Sequence, residues 1–228
     1  MDPNSISTIV QGTDWGLVST VVQIIASVTT CLLMIVTAGV AIYGITAWRR
    51  EFRGKRQMEL AEEVLALFYE AKDAILAIRS PWGFAGEGST RKPTEGETEQ
   101  EKKFKDRAYS VWERYEKHQA VFNKLHSMRY RFMAQIGKKA AEPFEHVRKI
   151  VNEILSTAGM VDELWVERAS YCNPEEKKEL SKEIKRYEAI IWWSGSKDDI
   201  DKQVEEIISQ IEETCRPIIM KARGRGLI

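Results

Sequence analysis

The hydrophobic pattern divides the chain at Trp48. Residues 15–48 contain no Asp, Glu, Lys, Arg or His. About 20 apolar helical residues cross a bilayer core of about 30 Å, so this run predicts one membrane-spanning helix and is too short for two. The more polar beginning, 15–23, is expected at the membrane interface and the span at 24–48. Trp15 and Trp48 are then expected at the two boundaries, where aromatic side chains are enriched.

After Trp48 the apolar residues recur at alternating intervals of three and four, which is the spacing of one face of an α-helix. The pattern predicts that the helix of the span continues over 49–79, that a second helix covers 99–136 and that a third begins near Pro143 and continues through Gly159. At 1.5 Å per residue the second helix is about 55 Å long. The domain that contains it is therefore expected to be elongated.

Two more helices are predicted near the C-terminus. Asn173 followed by Pro174 is typical of a helix start, and Asp198 or Ser196 is expected to cap a last helix, which Pro217 should kink or end. No segment alternates with period two between turn signals, so no sheet is expected. The sequence thus predicts an all-α fold, in which a single transmembrane helix is followed by an elongated antiparallel helical bundle.

The distribution of charge predicts how the chain is oriented in the membrane. All 34 Lys and Arg residues lie after Trp48, and the first of them form a cluster, namely Arg49, Arg50, Arg53, Lys55 and Arg56. Positively charged flanks stay in the cytoplasm, so we expect the N-terminus outside the inner membrane and the large domain inside the cell. The cluster also favours attraction to anionic lipid, at about 1 kcal/mol per basic residue.

These signals together define four predicted segments. They are a short extracytoplasmic tail at 1–14, the membrane anchor at 15–48, a cytosolic helical bundle at 49–220 and a basic tail at 221–228. The part after Trp48 carries 34 basic and 32 acidic residues. Such a balance is typical of helices with many ion pairs and argues against nucleic-acid binding. The expected partners are the lipid bilayer and either another protein or a second copy of the chain.

Residues 80–98 form the one long loop that the sequence predicts. The loop is rich in glycine and proline, yet it contains Trp82 and Phe84. One interpretation is that these two rings fold back and close the end of the helical bundle. The other is that the loop docks a partner or covers a ligand, because long loops in compact domains are often functional.

Small residues lie four positions apart in the span, as in Ser27 with Cys31 and Thr37 with Ala41. Small side chains let two helices approach closely in a membrane. These four residues are therefore candidates for self-association of the span.

The sequence contains no recognisable catalytic or metal-binding motif. We find no HExxH, no CxxC, no phosphate loop ending in Gly-Lys-Ser/Thr and no GxSxG. No catalytic residue, cofactor or metal site is predicted.

Two stretches of the chain resemble parts of known proteins. The first is Trp48-Arg49-Arg50-Glu51-Phe52-Arg53-Gly54-Lys55 followed by Glu59-Leu60-Ala61, and the second comprises Gly195-Ser196-Lys197-Asp198-Asp199 and Cys215-Arg216-Pro217-Ile218. They resemble a group of uncharacterised bacterial single-pass inner-membrane proteins with a cytosolic helical domain. The resemblance implies a bacterial inner-membrane setting and brings no site residues.

Three functions are compatible with these patterns. We expect a membrane-anchored cytoplasmic helical interaction module, a scaffold or regulator without catalytic activity. The first alternative is an oligomerising membrane effector, such as a toxin or defence component. The second is an enzyme with a dispersed site near the 80–98 loop.

Overall fold

The computed structural model describes four stretches of the chain, 14–84, 86–170, 173–195 and 197–224. The alternative cap Ser196, nearly all of the predicted tail 1–14 and the last four residues of the predicted basic tail lie outside the described residues. Within the four stretches every regular element is helical and no strand occurs. The prediction of an all-α fold is confirmed.

Five α-helices and one short 3-10 turn make up the regular structure of the described residues. In chain order they are α1 (Trp15–Ile78), α2 (Glu99–Gln135), the 3-10 turn (Lys139–Ala141), α3 (Glu142–Ser170), α4 (Pro174–Ile191) and α5 (Asp199–Arg223). The bounds agree with the apolar periodicity, including the continuation of α3 through Gly159. The last helix also continues through Pro217, so the alternative in which it ends there is wrong.

The chain divides into two compact units, Met1–Gly54 and Lys55–Ile228. In the first unit the described residues are helical from Trp15 onward, and their large apolar side chains are exposed. This helix is long and apolar enough to cross a membrane. Its most apolar window of 18 residues has a mean hydropathy of 2.2, and none of that window is buried.

In the second unit neighbouring helices run antiparallel, as their paired contacts show. The Gln57 side chain donates to the Gln135 carbonyl at 3.2 Å, whereas Arg114, earlier in α2, lies 3.4 Å from the Ile78 carbonyl. The beginning of this part of α1 is thus beside the end of α2. In the same way Phe132 packs near Phe144, and Phe104 packs near Trp165. Helices α2 and α3 are therefore also antiparallel.

The apolar stripes predicted from the sequence form the core of this unit. Phe144 of α3 contacts two other helices, with ring centroids 4.8 Å from Phe68 and 5.4 Å from Phe132. The stripe residues of α1 are all buried, namely Ala61, Val64, Phe68, Ala71, Ile75 and Ile78. Each fully buried Val, Leu, Ile or Phe contributes about 1.5–3 kcal/mol, so burial of the stripes is what holds these helices together.

Side-chain caps fix where the helices begin. Asn173 accepts a hydrogen bond from the Glu175 amide, and Asp198 accepts one from the Asp201 amide at 2.9 Å. Both caps are predicted from the sequence. A third cap, at α2, is a full capping box between Thr98 and Glu101. This capping box fixes the residue at which the 80–98 loop ends and α2 begins.

Candidate interaction site

The two aromatic side chains of the 80–98 loop point into solvent. Trp82 is 82% exposed and Phe84 is 83% exposed. The interpretation that these rings fold back onto the helical bundle is therefore wrong. The physical reason is that the bundle binds the backbone of this segment, and its rings are left outside.

Arg114 of α2 makes that backbone contact. Its guanidinium is buried and donates to the Ser80 carbonyl at 2.5 Å and to the Trp82 carbonyl at 2.9 Å. It also bonds both carboxylate oxygens of Glu87, at 2.5 and 3.3 Å. Glu87 in turn accepts from the Phe84 amide at 3.2 Å. One arginine thus fixes the backbone on both sides of Gly83.

The Arg114 guanidinium also holds the pKa of the Glu87 carboxyl below its usual range, because its hydrogen bond outweighs the opposing effect of burial. A charged hydrogen bond of this kind is about twice as strong as a neutral one. The loop is therefore held by an ion pair that persists at neutral pH.

Glu113, the neighbour of Arg114, holds the next part of the loop. Its carboxylate accepts from the Gly88 amide at 2.7 Å, from the Thr90 amide at 3.1 Å and from the Thr90 hydroxyl. Burial raises the pKa of Glu113, but these donors together bring it below the usual value. Gly88 has a φ of +83°, and a Cβ there would lie 1.8 Å from the Asp106 carbonyl oxygen. Only glycine fits this approach.

Arg91 fixes the last part of the loop. Its guanidinium forms two hydrogen bonds to Glu97, at 2.9 and 2.6 Å, and one to Asp106 of α2 at 3.0 Å. Lys105 lies 3.1 Å from the same Glu97 carboxylate. These partners hold the pKa of Glu97 well below its usual range. The loop is therefore tied to α2 by ion pairs and by hydrogen bonds to Glu113.

A buried ion pair joins the end of α1 to the start of α5. Arg79 and Asp198 are both fully buried and form two bonds of 2.8 Å. Arg79 also donates to the Ile190 carbonyl at 2.7 Å, and its own carbonyl accepts from the Trp193 amide at 2.7 Å. Burial raises the pKa of Asp198, but the Arg79 guanidinium and backbone amides lower it below its usual value.

Trp193 adds a third exposed ring at this end of the bundle. It is about half exposed, and its backbone is bonded to Arg79, three residues before Trp82. Arg114 links the two segments, because it binds the Trp82 carbonyl and lies 5.8 Å from the ring of Trp192. We call Trp82, Phe84 and Trp193 the aromatic end surface.

An open cavity of about 740 Å³ adjoins Phe84. Its lining includes the carboxylates of Glu87, Glu113 and Glu116 and a single base, Lys117. Glu87 and Glu113 accept hydrogen bonds from loop amides, and Glu116 and Lys117 are exposed beside them. The cavity beside Phe84 is therefore lined by more acidic than basic side chains.

The residues predicted for the membrane interface are exposed in their respective units. In the first unit these are Trp15, Trp48, Arg49, Arg50 and Arg53, and in the second they are Lys55 and Arg56. Trp48 stacks on Phe52 at a centroid distance of 5.7 Å. At 1.5 Å per residue, Trp15 and Trp48 are about 50 Å apart along the helix.

The candidates for self-association are also exposed. Ser27 and Cys31 lie one turn apart on α1, as do Thr37 and Ala41, so each pair occupies one face of the helix. Each of the five threonines within 15–48 donates its hydroxyl to a carbonyl three or four residues earlier, at 2.8–2.9 Å. These hydroxyl groups are therefore hydrogen-bonded within the helix and do not require water as an acceptor.

Sequence reasoning did not single out Arg79 or Arg114. A signal existed for both, since Arg114 comes three residues after Val111 and Arg79 comes four after Ile75, which places each arginine on an apolar stripe. A charge on a buried stripe predicts a buried ion pair. The identity of its partner depends on tertiary structure.

The described residues thus define an all-helical protein with one long apolar helix near its N-terminus. No protein-family model matches the chain, no curated protein matches its sequence, and no solved structure matches its fold.

Proposed function

We propose that this protein is a membrane-anchored helical interaction module, a scaffold or regulator that docks a protein partner on its aromatic end surface. The observation that carries the proposal is the exposure of Trp82 and Phe84 on a loop held by ion pairs. Exposed apolar patches mark interaction sites, and buried aromatic anchors dominate the binding energy of protein interfaces.

The rigidity of the loop supports docking. Ordering a mobile backbone on binding costs about 1–2 kcal/mol per residue. Here Arg114, Glu113 and Arg91 fix the backbone before any partner arrives. The backbone that carries the two rings is thus ordered in advance, and binding loses mainly the rotamer freedom of the rings themselves.

The first unit supports a membrane location. An apolar helix with no buried residue in its most apolar window would be costly in water. Its threonine hydroxyls are satisfied by the helix itself, as a bilayer core requires. In this proposal the basic residues after Trp48 keep the helical domain in the cytoplasm. The resemblance noted above adds a bacterial inner membrane as the setting.

Site-specific photocrosslinking in cells tests the docking function. A photoreactive phenylalanine analogue at position 84 is expected to give a discrete adduct that disappears when Trp82→Ala is added. The matched control is the analogue at position 130, because Tyr130 is an exposed aromatic residue of α2 outside the aromatic end surface. Equal adducts at both positions, or none at position 84, would contradict the proposal.

The membrane effector is the second candidate. It is favoured by the two pairs of small residues that are exposed on the apolar helix, Ser27 with Cys31 and Thr37 with Ala41. Disulfide crosslinking through Cys31 in native membranes tests it, since a close homodimer face brings the two thiols together. The enzyme alternative has less support, because the carboxylates nearest this loop, Glu87 of the loop and Glu113 of α2, already accept hydrogen bonds from loop amides.

A further inference from the structure

A groove between α2 and α3 combines an apolar floor with a basic rim. It encloses about 290 Å³. Phe122, Leu125 and Phe144 contribute to the floor, and His126, Arg129 and Arg148 contribute to the rim. None of the loop residues of the aromatic end surface lines it, so the groove is a separate feature of the molecule.

Positive charge exceeds negative charge at this rim. Glu145 bonds both arginines, with Arg129 Nη2 at 2.8 Å and Arg148 Nη2 at 2.9 Å. Burial raises the pKa of Glu145, but the hydrogen bond from Arg148 and the charges of Arg129, Arg148 and His126 bring it below its usual value. One carboxylate therefore serves two guanidinium groups.

Arg129 also keeps a buried donor without an acceptor. Its Nε atom is buried and has no hydrogen-bond partner among the described residues. A buried donor that lacks an acceptor is destabilising, and more so when the group is charged. Arg129 and Arg148 both line the groove, so an anion there would meet two guanidinium groups that share one carboxylate.

We infer that the groove binds a small organic anion, a carboxylate or phosphate ester that carries an aromatic or branched aliphatic group. Guanidinium groups match carboxylate and phosphate oxygens in geometry and charge. The rings and aliphatic side chains of the floor accept the apolar part. Ligand pockets span about 300–1,000 Å³. At about 290 Å³ this one suits a single ring with its anionic group and is too small for a long acyl chain.

Calorimetric titration of the full chain in a neutral maltoside detergent tests the inference, with phenyl phosphate as the probe. We expect saturable binding at one site. Inorganic phosphate lacks the ring of this probe, and phenol lacks its phosphate group. Each should therefore bind at least about tenfold more weakly than phenyl phosphate. Equal affinity for inorganic phosphate would overturn the apolar part of the inference, and equal affinity for phenol would overturn the anionic part.

Variants assign the binding to the groove. Arg129→Gln should weaken phenyl phosphate binding about tenfold or more, because it removes a charged donor. The matched control is Arg131→Gln on the same helix, since Arg131 lies 3.5 Å from Glu63 and does not line the groove. If Arg129→Gln does not fold, the exposed rim residue Arg148 replaces it as Arg148→Gln. Absence of saturable binding, or an affinity unchanged in the folded rim variant, would overturn the inference.

Discussion

The guanidinium of Arg79 and the carboxylate of Asp198 form a fully buried ion pair between residues 119 positions apart in the chain. Removing one partner of such a pair costs about 3–5 kcal/mol, because the other charge stays buried and uncompensated. We therefore predict that Asp198→Asn lowers the free energy of unfolding by that amount. Asparagine is also a good N-terminal cap, so α5 keeps its cap in this variant. The lower free energy of unfolding therefore measures the removal of the charge.

Urea unfolding of the full chain in detergent, followed by tryptophan fluorescence, measures this loss. The matched control is Asp199→Asn, the next residue, whose exposed carboxylate pairs with Lys202 at 2.8 Å. Exposed ion pairs contribute at most about 1 kcal/mol. Similar losses in the two variants would show that the buried pair does not hold the end of the bundle.

Gly88 and Gly96 allow a second prediction about the loop. Both have positive φ, +83° and +88°, but only at Gly88 would a Cβ meet the backbone of Asp106. The conformation alone costs about 1–2 kcal/mol for an L-residue, and the clash adds to that cost. Gly88→Ala should therefore loosen the loop much more than Gly96→Ala.

Hydrogen exchange at the Thr90 amide measures this difference, because that amide is bonded to Glu113. We expect its protection to fall strongly in Gly88→Ala and to change little in Gly96→Ala. Equal protection in the two variants would mean that the close approach of Gly88 to α2 does not fix the loop.

The stability of the domain should depend on pH through Glu87. Its pKa is lowered on folding by Arg114, so the unfolded chain binds more protons in the acidic range. The stabilisation is complete above the unfolded pKa of about 4.3 and is lost as the pH falls through the lower folded value. Glu87→Gln should therefore destabilise the protein at pH 7, and this difference should shrink toward pH 3.

Urea midpoints for the wild type and for Glu87→Gln at pH 7 and pH 3 test the sign of this effect. Glu95→Gln, an exposed position in the same loop, is the control and should match the wild type at both values. A difference that grows toward pH 3 would contradict the role of the Arg114 ion pair.

The helices were predictable from the sequence because their signals are local. Apolar periodicity places Val64 and Phe68 on one face, and Asn173 before Pro174 marks a helix start. The partners of Arg79 and Arg114 were not predictable, because they come from other helices and from loop carbonyls. The exposure of Trp82 depends on those partners, so its direction could not be read from the loop sequence.

The orientation of the span gives the last prediction. If the basic residues after Trp48 keep the helical domain in the cytoplasm, a phosphatase that is active only in the periplasm should be inactive when fused to the C-terminus. Replacing Arg49, Arg50 and Arg53 by Gln and inserting three lysines before Trp15 should reverse the orientation in part of the population and switch the phosphatase on.

The control replaces basic residues far from the span. Lys177, Lys178 and Lys185 are exposed lysines of α4, more than a hundred residues after the span. Positive charges act within about 15–20 residues of a span, so replacing these three by Gln should leave the reporter silent. A reporter that is active in the wild type would reverse the proposed orientation and place the aromatic end surface outside the cytoplasm.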